Sequence, residues 1–213
     1  MEVALVLDPA ISTGYCLVKI DGTKADIYEY GFLEVQDITD YDGDRCINLM
    51  DQIETIINDH NVTQVALEDY FFSKRFASGG TLNVAFRTAI WIQARRMGLD
   101  YTILNIGNWK KFVAGRSTST KEQKLKWGKE PSKKLMIQQA LWDKYNFRFP
   151  NHSLSKKTGK PIKFRYDVVD AVGQAVFFCR LYLNLTEVEL SVKAPDDVIM
   201  KTISKAQFTY PEE

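Results

Sequence analysis

Histidine is scarce in this 213-residue chain. His60 and His152 are the only two, which excludes a histidine-rich metal centre. Cysteine is nearly as rare: Cys16, Cys46 and Cys179 are odd in number and far apart. Neither a disulfide framework nor a zinc site is expected from them, and a reducing compartment suits them. No apolar stretch approaches the roughly 18 residues that a membrane-spanning helix needs. The opening Met1-Glu2-Val3-Ala4-Leu5 carries no basic region and no cleavage-type sequence, so a secretory leader is not expected. No internal repeat is apparent.

What is present is enough apolar material, 45% of residues, for one well-filled core with room for an insertion. The net charge of +1 conceals a strong asymmetry. Residues 1–108 carry 8 Lys and Arg against 16 Asp and Glu, and residues 166–213 carry 4 against 8. Between them, residues 109–165 carry 16 against 3. Such a block reads either as a solvated lysine-rich loop or as the meeting surface for a polyanion. Trp109, Phe112, Trp127, Phe147, Phe149 and Phe164 lie among these cations. They favour nucleic acid, since rings stack on bases while Lys and Arg neutralise phosphate.

The apolar pattern predicts a strand over Val3–Asp8, stopped by Pro9, which has no ladder donor. Thr13–Ile20 and Ala25–Val35 flank Asp21-Gly22 and predict an antiparallel hairpin. Asp42–His60 predicts a helix with Ile47, Met50, Ile53, Ile56 and Ile57 as its stripe. Strands are expected at Val62–Glu68 and Tyr101–Ile106. Between them Leu82–Met97 predicts a helix burying Leu82, Phe86, Ala89, Ile90 and Met97. Val84 and Trp91 fall on its far side, either as a partner surface or sandwiched within the same domain. Pro131 opens a helix through Lys134–Tyr145, and Asp167–Leu183 predicts the last one. Gly115–Gly128 and Pro150–Pro161 read as loops, and Val188–Val192 as a strand before a polar tail. This order implies a mixed α/β sheet covered by helices on both faces.

Four carboxylates stand out. Asp8 and Glu68 each end an apolar strand, where an acid is costly unless something positive meets it. Asp167 and Asp170, at i and i+3, share one face of a helix's first turn. Three distant segments could thus converge on one point and hold a pair of Mg²⁺ ions. Paired ions about 3.5–4 Å apart can activate water, neutralise phosphate and stabilise a leaving oxyanion. Each acid also has an ordinary reading: Asp8 as a turn residue, Glu68-Asp69 as a solvated strand end, Asp167 and Asp170 as helix-capping acids.

Taken in order, three segments resemble the motifs of RuvC-type Holliday junction resolvases. Leu7-Asp8-Pro9-Ala10-Ile11-Ser12-Thr13-Gly14-Tyr15 is similar to the family's Asp-Pro-Gly turn and Thr-Gly-aromatic segment. Val65-Ala66-Leu67-Glu68-Asp69-Tyr70-Phe71-Phe72 is similar to its strand-end Glu followed by Phe, and Asp167-Val168-Val169-Asp170-Ala171 to its Asp-x-x-Asp-Ala. The resemblance implies a ribonuclease H-like fold with a five-stranded sheet over residues 1–183, and a C-terminal extension at 184–213. It also implies a homodimer that nicks four-way DNA junctions symmetrically with two Mg²⁺ per site, Mn²⁺ being an alternative. Asp8, Glu68, Asp167 and Asp170 match the metal-binding acids. Phe71 falls where an aromatic opens the junction centre, or it is simply a strand-end core residue. Lys110 and Lys133 resemble lysines near the scissile phosphate, Lys133 as a catalytic group. With Lys111 and Lys134 they are expected to contact DNA, whether specifically or as general backbone contacts. Such an enzyme belongs in the cytoplasm or another intracellular compartment that contains DNA.

The chain departs from the pattern at Ala10, where the family has Gly, leaving the turn beside Asp8 in question. It also carries basic insertions near 113–130 and 150–165. Three competitors remain at this level. A related nuclease acting on other branched DNA or RNA–DNA hybrids would respond to a substrate panel. A sugar-kinase or actin-like ATPase would bind ATP, although no second phosphate loop accompanies the opening hairpin. A binding module without chemistry would bind junctions and never nick them.

Overall fold

The computed structural model describes residues 1–35, 42–69, 77–128, 131–150, 152–154, 161–163, 166–183 and 190–192. Three antiparallel strands come first: β1 (Glu2–Asp8), β2 (Ser12–Asp21) and β3 (Lys24–Glu34). Helix α1 (Asp42–His60) crosses to β4 (Gln64–Glu68), which pairs parallel to β1. Helix α2 (Ala77–Arg96) crosses to β5 (Asp100–Leu104), parallel to β4. Then come α3 (Ile106–Ala114), α4 (Lys121–Trp127), α5 (Pro131–Tyr145), a small ribbon of β6 (His152–Leu154) and β7 (Pro161–Lys163), and α6 (Asp167–Leu183). The expected five-stranded mixed sheet has the order β5-β4-β1-β2-β3, and β8 (Leu190–Val192) extends it beside β3.

Strand alternation decides which way the acids face. In β1, Val3, Leu5 and Leu7 enter the core shared with α1 and α2, while Ala4 and Val6 enter the core under α6. In β4, Val65 and Leu67 take the first face and Ala66 the second. With a period of two, Asp8 and Glu68 follow Val6 and Ala66 to the α6 side. The parallel register sets Leu7 beside Leu67, so both acids leave the sheet at the same end.

Helix α6 is buried on nearly its whole circumference from Val168 to Val176, as befits a central helix. Its first turn reaches Asp8 because Gly14, the β2 partner of Asp8, has no side chain. A Cβ there would lie 2.2 Å from the Asp167 carbonyl oxygen. The turn before it needs no glycine. Ala10 is not among the positive-φ residues. Thr13 closes the loop, its Oγ1 donating to the Ala10 carbonyl at 2.6 Å and accepting from the Ala10 N–H at 3.2 Å.

Several expectations shift. The buried stripe of α1 is Leu49, Ile53 and Ile57, leaving Ile47 58% exposed. Two helices were not expected. Asn105 caps α3, accepting from the Asn108 N–H, where the strand was carried on to Ile106. A capping box of Thr120 and Gln123 starts α4 inside the supposed loop Gly115–Gly128. The Pro150–Pro161 loop contains β6 and the start of β7, while residues 155–160 lie outside the described residues, as do Phe71, Phe164 and the polar tail.

Candidate active site

Buried Asp8 and Asp170 and partly buried Asp167 surround one ammonium group, and partly buried Glu68 lies near enough to feel its charge. Lys134, in the first turn of α5, places Nζ 3.6 Å from Asp8 Oδ2 and 3.5 Å from Asp167 Oδ1, and donates to Asp170 Oδ2. Burial pushes the Asp8 carboxyl well above the ordinary range, with Lys134 opposing and the other three acids adding to the rise. Glu68 is raised by burial and by Asp170, against Lys110, the Trp109 hydrogen bond and Lys134. For Lys134 burial pulls downward, but Asp170, Asp8 and Asp167 outweigh it and hold the ammonium protonated.

Two further side chains orient the acids. Gln174, fully buried one turn past Asp170 in α6, donates from Nε2 to Asp8 Oδ1 at 3.1 Å. Trp109 of α3 donates from Nε1 to Glu68 Oε1 at 2.7 Å. Its ring packs so closely on Gly173 that a Cβ there would meet Cζ3 at 2.9 Å. Both escaped the sequence reading. A lone Gln in the apolar run Val168–Cys179, four residues after an acid, was the available signal for Gln174. Trp109 was assigned to base stacking, yet it is fully buried. Trp127, Phe147 and Phe149 are buried too, and Phe112 packs on Phe177. These five described aromatics of the basic block therefore build a core rather than a stacking platform.

The lysines sort differently from expectation. The ammonium that meets Asp8, Asp167 and Asp170 belongs to Lys134, while Lys133, carried over as catalytic, is exposed beside it. Consecutive helical residues diverge by about 100°, so one carbon chain enters the site and the other leaves it. Lys110 lies over the Trp109 ring, 4.9 Å from its centroid, and is felt by Glu68. Lys111 is exposed on the same helix.

Among the described residues, no three His, Cys, Asp or Glu side chains close on a metal position as they stand. The cation between the acids is the Lys134 ammonium instead. The donor set still fits a hard divalent ion, being entirely carboxylate oxygen. Buried Asp170 Oδ1 has no hydrogen-bond partner among the described residues, leaving a lone pair for such a cation.

A family model described as "Crossover junction endodeoxyribonuclease RuvC" matches residues 4–129. The chain belongs to the RuvC family. A Sulfurovum relative with the same description is 32% identical over 124 residues, covering 56% of this chain and 74% of the relative. The matched segment of the family model contains Asp8 and Glu68 and stops before Asp167 and Asp170. Solved structures extend the likeness as fold. The Thermus thermophilus RuvC bound to a Holliday junction substrate has a TM-score of 0.57 at 16% identity, covering 86% of this RuvC family member and 98% of that chain. The yeast mitochondrial Holliday junction resolvase has a TM-score of 0.51 at 15% identity, covering 85% and 80%. The fold is the expected ribonuclease H-like one. Nucleases of this family are metal-dependent. No helix among the described residues is long and apolar enough to cross a membrane.

Proposed function

We propose that this chain is a structure-selective endodeoxyribonuclease that resolves four-way (Holliday) DNA junctions by paired symmetrical nicks. The observation that carries the proposal is the gathering of Asp8, Asp167 and Asp170 around one cation position with Glu68 beside them, in a chain of this family. A relative in complex with a Holliday junction supports the choice of branched DNA. The nuclease domain is residues 1–183, with the two basic insertions, followed by the extension 184–213.

Asp8, Glu68, Asp167 and Asp170 would hold two Mg²⁺ ions, or Mn²⁺ in their place, and bound there the metal supplies charge to the phosphate and an ionised water. The protein's own contribution is orientation. Trp109 fixes Glu68 through one oxygen, and Gln174 fixes Asp8 through one, so neither carboxylate must be ordered when substrate arrives. Lys134, released from the acids, offers its ammonium to the phosphate or the leaving oxygen. Lys110, Lys111 and Lys133 supply backbone contacts around it. Phe71 opens the junction centre. A homodimer presents two such sites to symmetry-related strands. Its interface is the outer face of α2, where Val84, Trp91 and Ile92 are 38%, 44% and 44% exposed rather than sandwiched within the domain. The enzyme acts in an intracellular compartment that holds DNA.

Asp8→Asn and Glu68→Gln are each expected to abolish Mg²⁺-dependent nicking of a synthetic junction while binding persists. Nicking that survives either change removes the site. A panel of junction, flap, RNA–DNA hybrid and linear duplex separates junction resolution from its nearest alternative, a related nuclease of other branched DNA or hybrids.

A further inference from the structure

The insertion at Gly115–Gly128, where composition predicts a loop, is a built projection. A seven-residue helix is marginal in isolation, yet α4 is fastened at both ends. Thr120 and Gln123 exchange the two bonds of a capping box, and the Gly128 N–H donates to the Lys124 carbonyl at 2.9 Å. Trp127 is buried at its base, and a buried pair, Ser119 Oγ and Ser132 Oγ at 2.8 Å, joins its root to the first turn of α5. Ser132 is two residues from Lys134. The projection is therefore fixed to the same helical turn that enters the acid cluster.

What this scaffold holds outward is a face of Lys121, Lys124 and Leu125, at i, i+3 and i+4, all exposed. Leu125 is 87% exposed, the most exposed large apolar side chain among the described residues. A lone exposed leucine is ordinary on a protein surface. One presented beside two lysines on a capped and anchored helix, in the most basic stretch of the chain, has a partner defined by charge. We propose that α4 is a second DNA-contacting surface, in which Lys121 and Lys124 meet backbone phosphates and Leu125 rests against the open base step of a branch point. Apolar wedges enter where bases are already unstacked, since the cost of opening the step is then smallest. The lysines give affinity without sequence information, and the leucine gives preference for the branch. This inference rests on the junction-nuclease reading above and names part of its substrate surface.

The test is anisotropy titration of the full-length chain in EDTA, against a four-way junction and a linear duplex, over a range of salt. Wild type, Lys121→Ala/Lys124→Ala, Leu125→Ala and Leu125→Met are compared. The lysine pair is expected to lower the slope of log affinity against log salt by roughly 1.8, on both DNAs, at about 0.9 per lost phosphate contact. Leu125→Ala is expected to cut the preference for junction over duplex about ten-fold, and Leu125→Met to restore most of it. Unchanged slopes together with an unchanged preference overturn the proposal, and that is also the outcome if α4 serves a protein partner. Wild-type junction nicking, measured alongside in Mg²⁺, keeps the two readings apart. If wild type neither binds nor nicks the junction, the nuclease reading fails. If wild type does both while the α4 variants bind like it, only the α4 proposal fails.

Discussion

Single side chains hold the candidate site together without a metal. Lys134 sets its single positive charge among three carboxylates that strand ends and helix packing have forced together, so its removal leaves buried negative charge without a counter-charge. Lys134→Met is expected to lower metal-free stability by about 1–3 kcal/mol, less than the ~3–5 of a fully enclosed pair because part of the side chain meets water. Mg²⁺ should stabilise the variant more than wild type, since ion and ammonium compete for the same oxygens. Thermal melts with EDTA and with Mg²⁺ decide this; equal melting of both proteins in EDTA would refute the counter-charge role. Gln174 makes a different contribution. Gln174→Leu keeps the volume and removes the donor to Asp8, and a loss of roughly 10–100-fold in metal affinity or nicking is expected. Calorimetric Mg²⁺ titration reports it independently of turnover, and an unchanged affinity together with unchanged nicking would reduce Gln174 to packing.

At the scale of elements, the site depends on how closely α6 approaches β2. Gly14→Ala must displace the Asp167 carbonyl, which belongs to the turn carrying two of the acids. Overpacking of this kind costs typically 1–3 kcal/mol. Gly14→Ala is expected to lose that much by urea unfolding and to lose nicking disproportionately, because Asp167 moves away from Asp8. A variant that is destabilised but fully active would separate the glycine from the site. The same comparison explains what was legible in the sequence. Strand ends at Asp8 and Glu68, and the span of α6, follow from period and composition, so the carboxylate positions were readable. Which of Lys133 and Lys134 enters the site depends on the rotation of α5, and its first turn offers no apolar marker to set that rotation. The burial of Trp109 depends on Gly173, more than sixty residues away, a pairing no local pattern contains. Helix α4 was readable after all: Thr120-x-x-Gln123 is a start signal that the surrounding lysines obscured.

For the whole molecule, the sheet separates two cores that do different work. The α1–α2 side is structural, and its outer helix offers the apolar face of Val84, Trp91 and Ile92. If that face pairs two copies, Trp91→Glu places charge in its centre. Sedimentation is then expected to show a shift to monomer with the fold intact by circular dichroism. A wild-type chain that sediments as a monomer at micromolar concentration would remove the assignment. The α3–α5–α6 side carries the candidate site, and the parity of β1 is what assigns each strand residue to its side. Deleting one residue between Val3 and Leu7, with the start of β1 held in register, would exchange the two sides for the strand positions that follow it up to Asp8. Asp8 would then point among leucines, with neither Lys134 nor Gln174 in reach. Assembly of the candidate site is thus an odd-or-even property of a seven-residue strand, and a frame-preserving deletion of one codon there is expected to disrupt it more thoroughly than many substitutions within it.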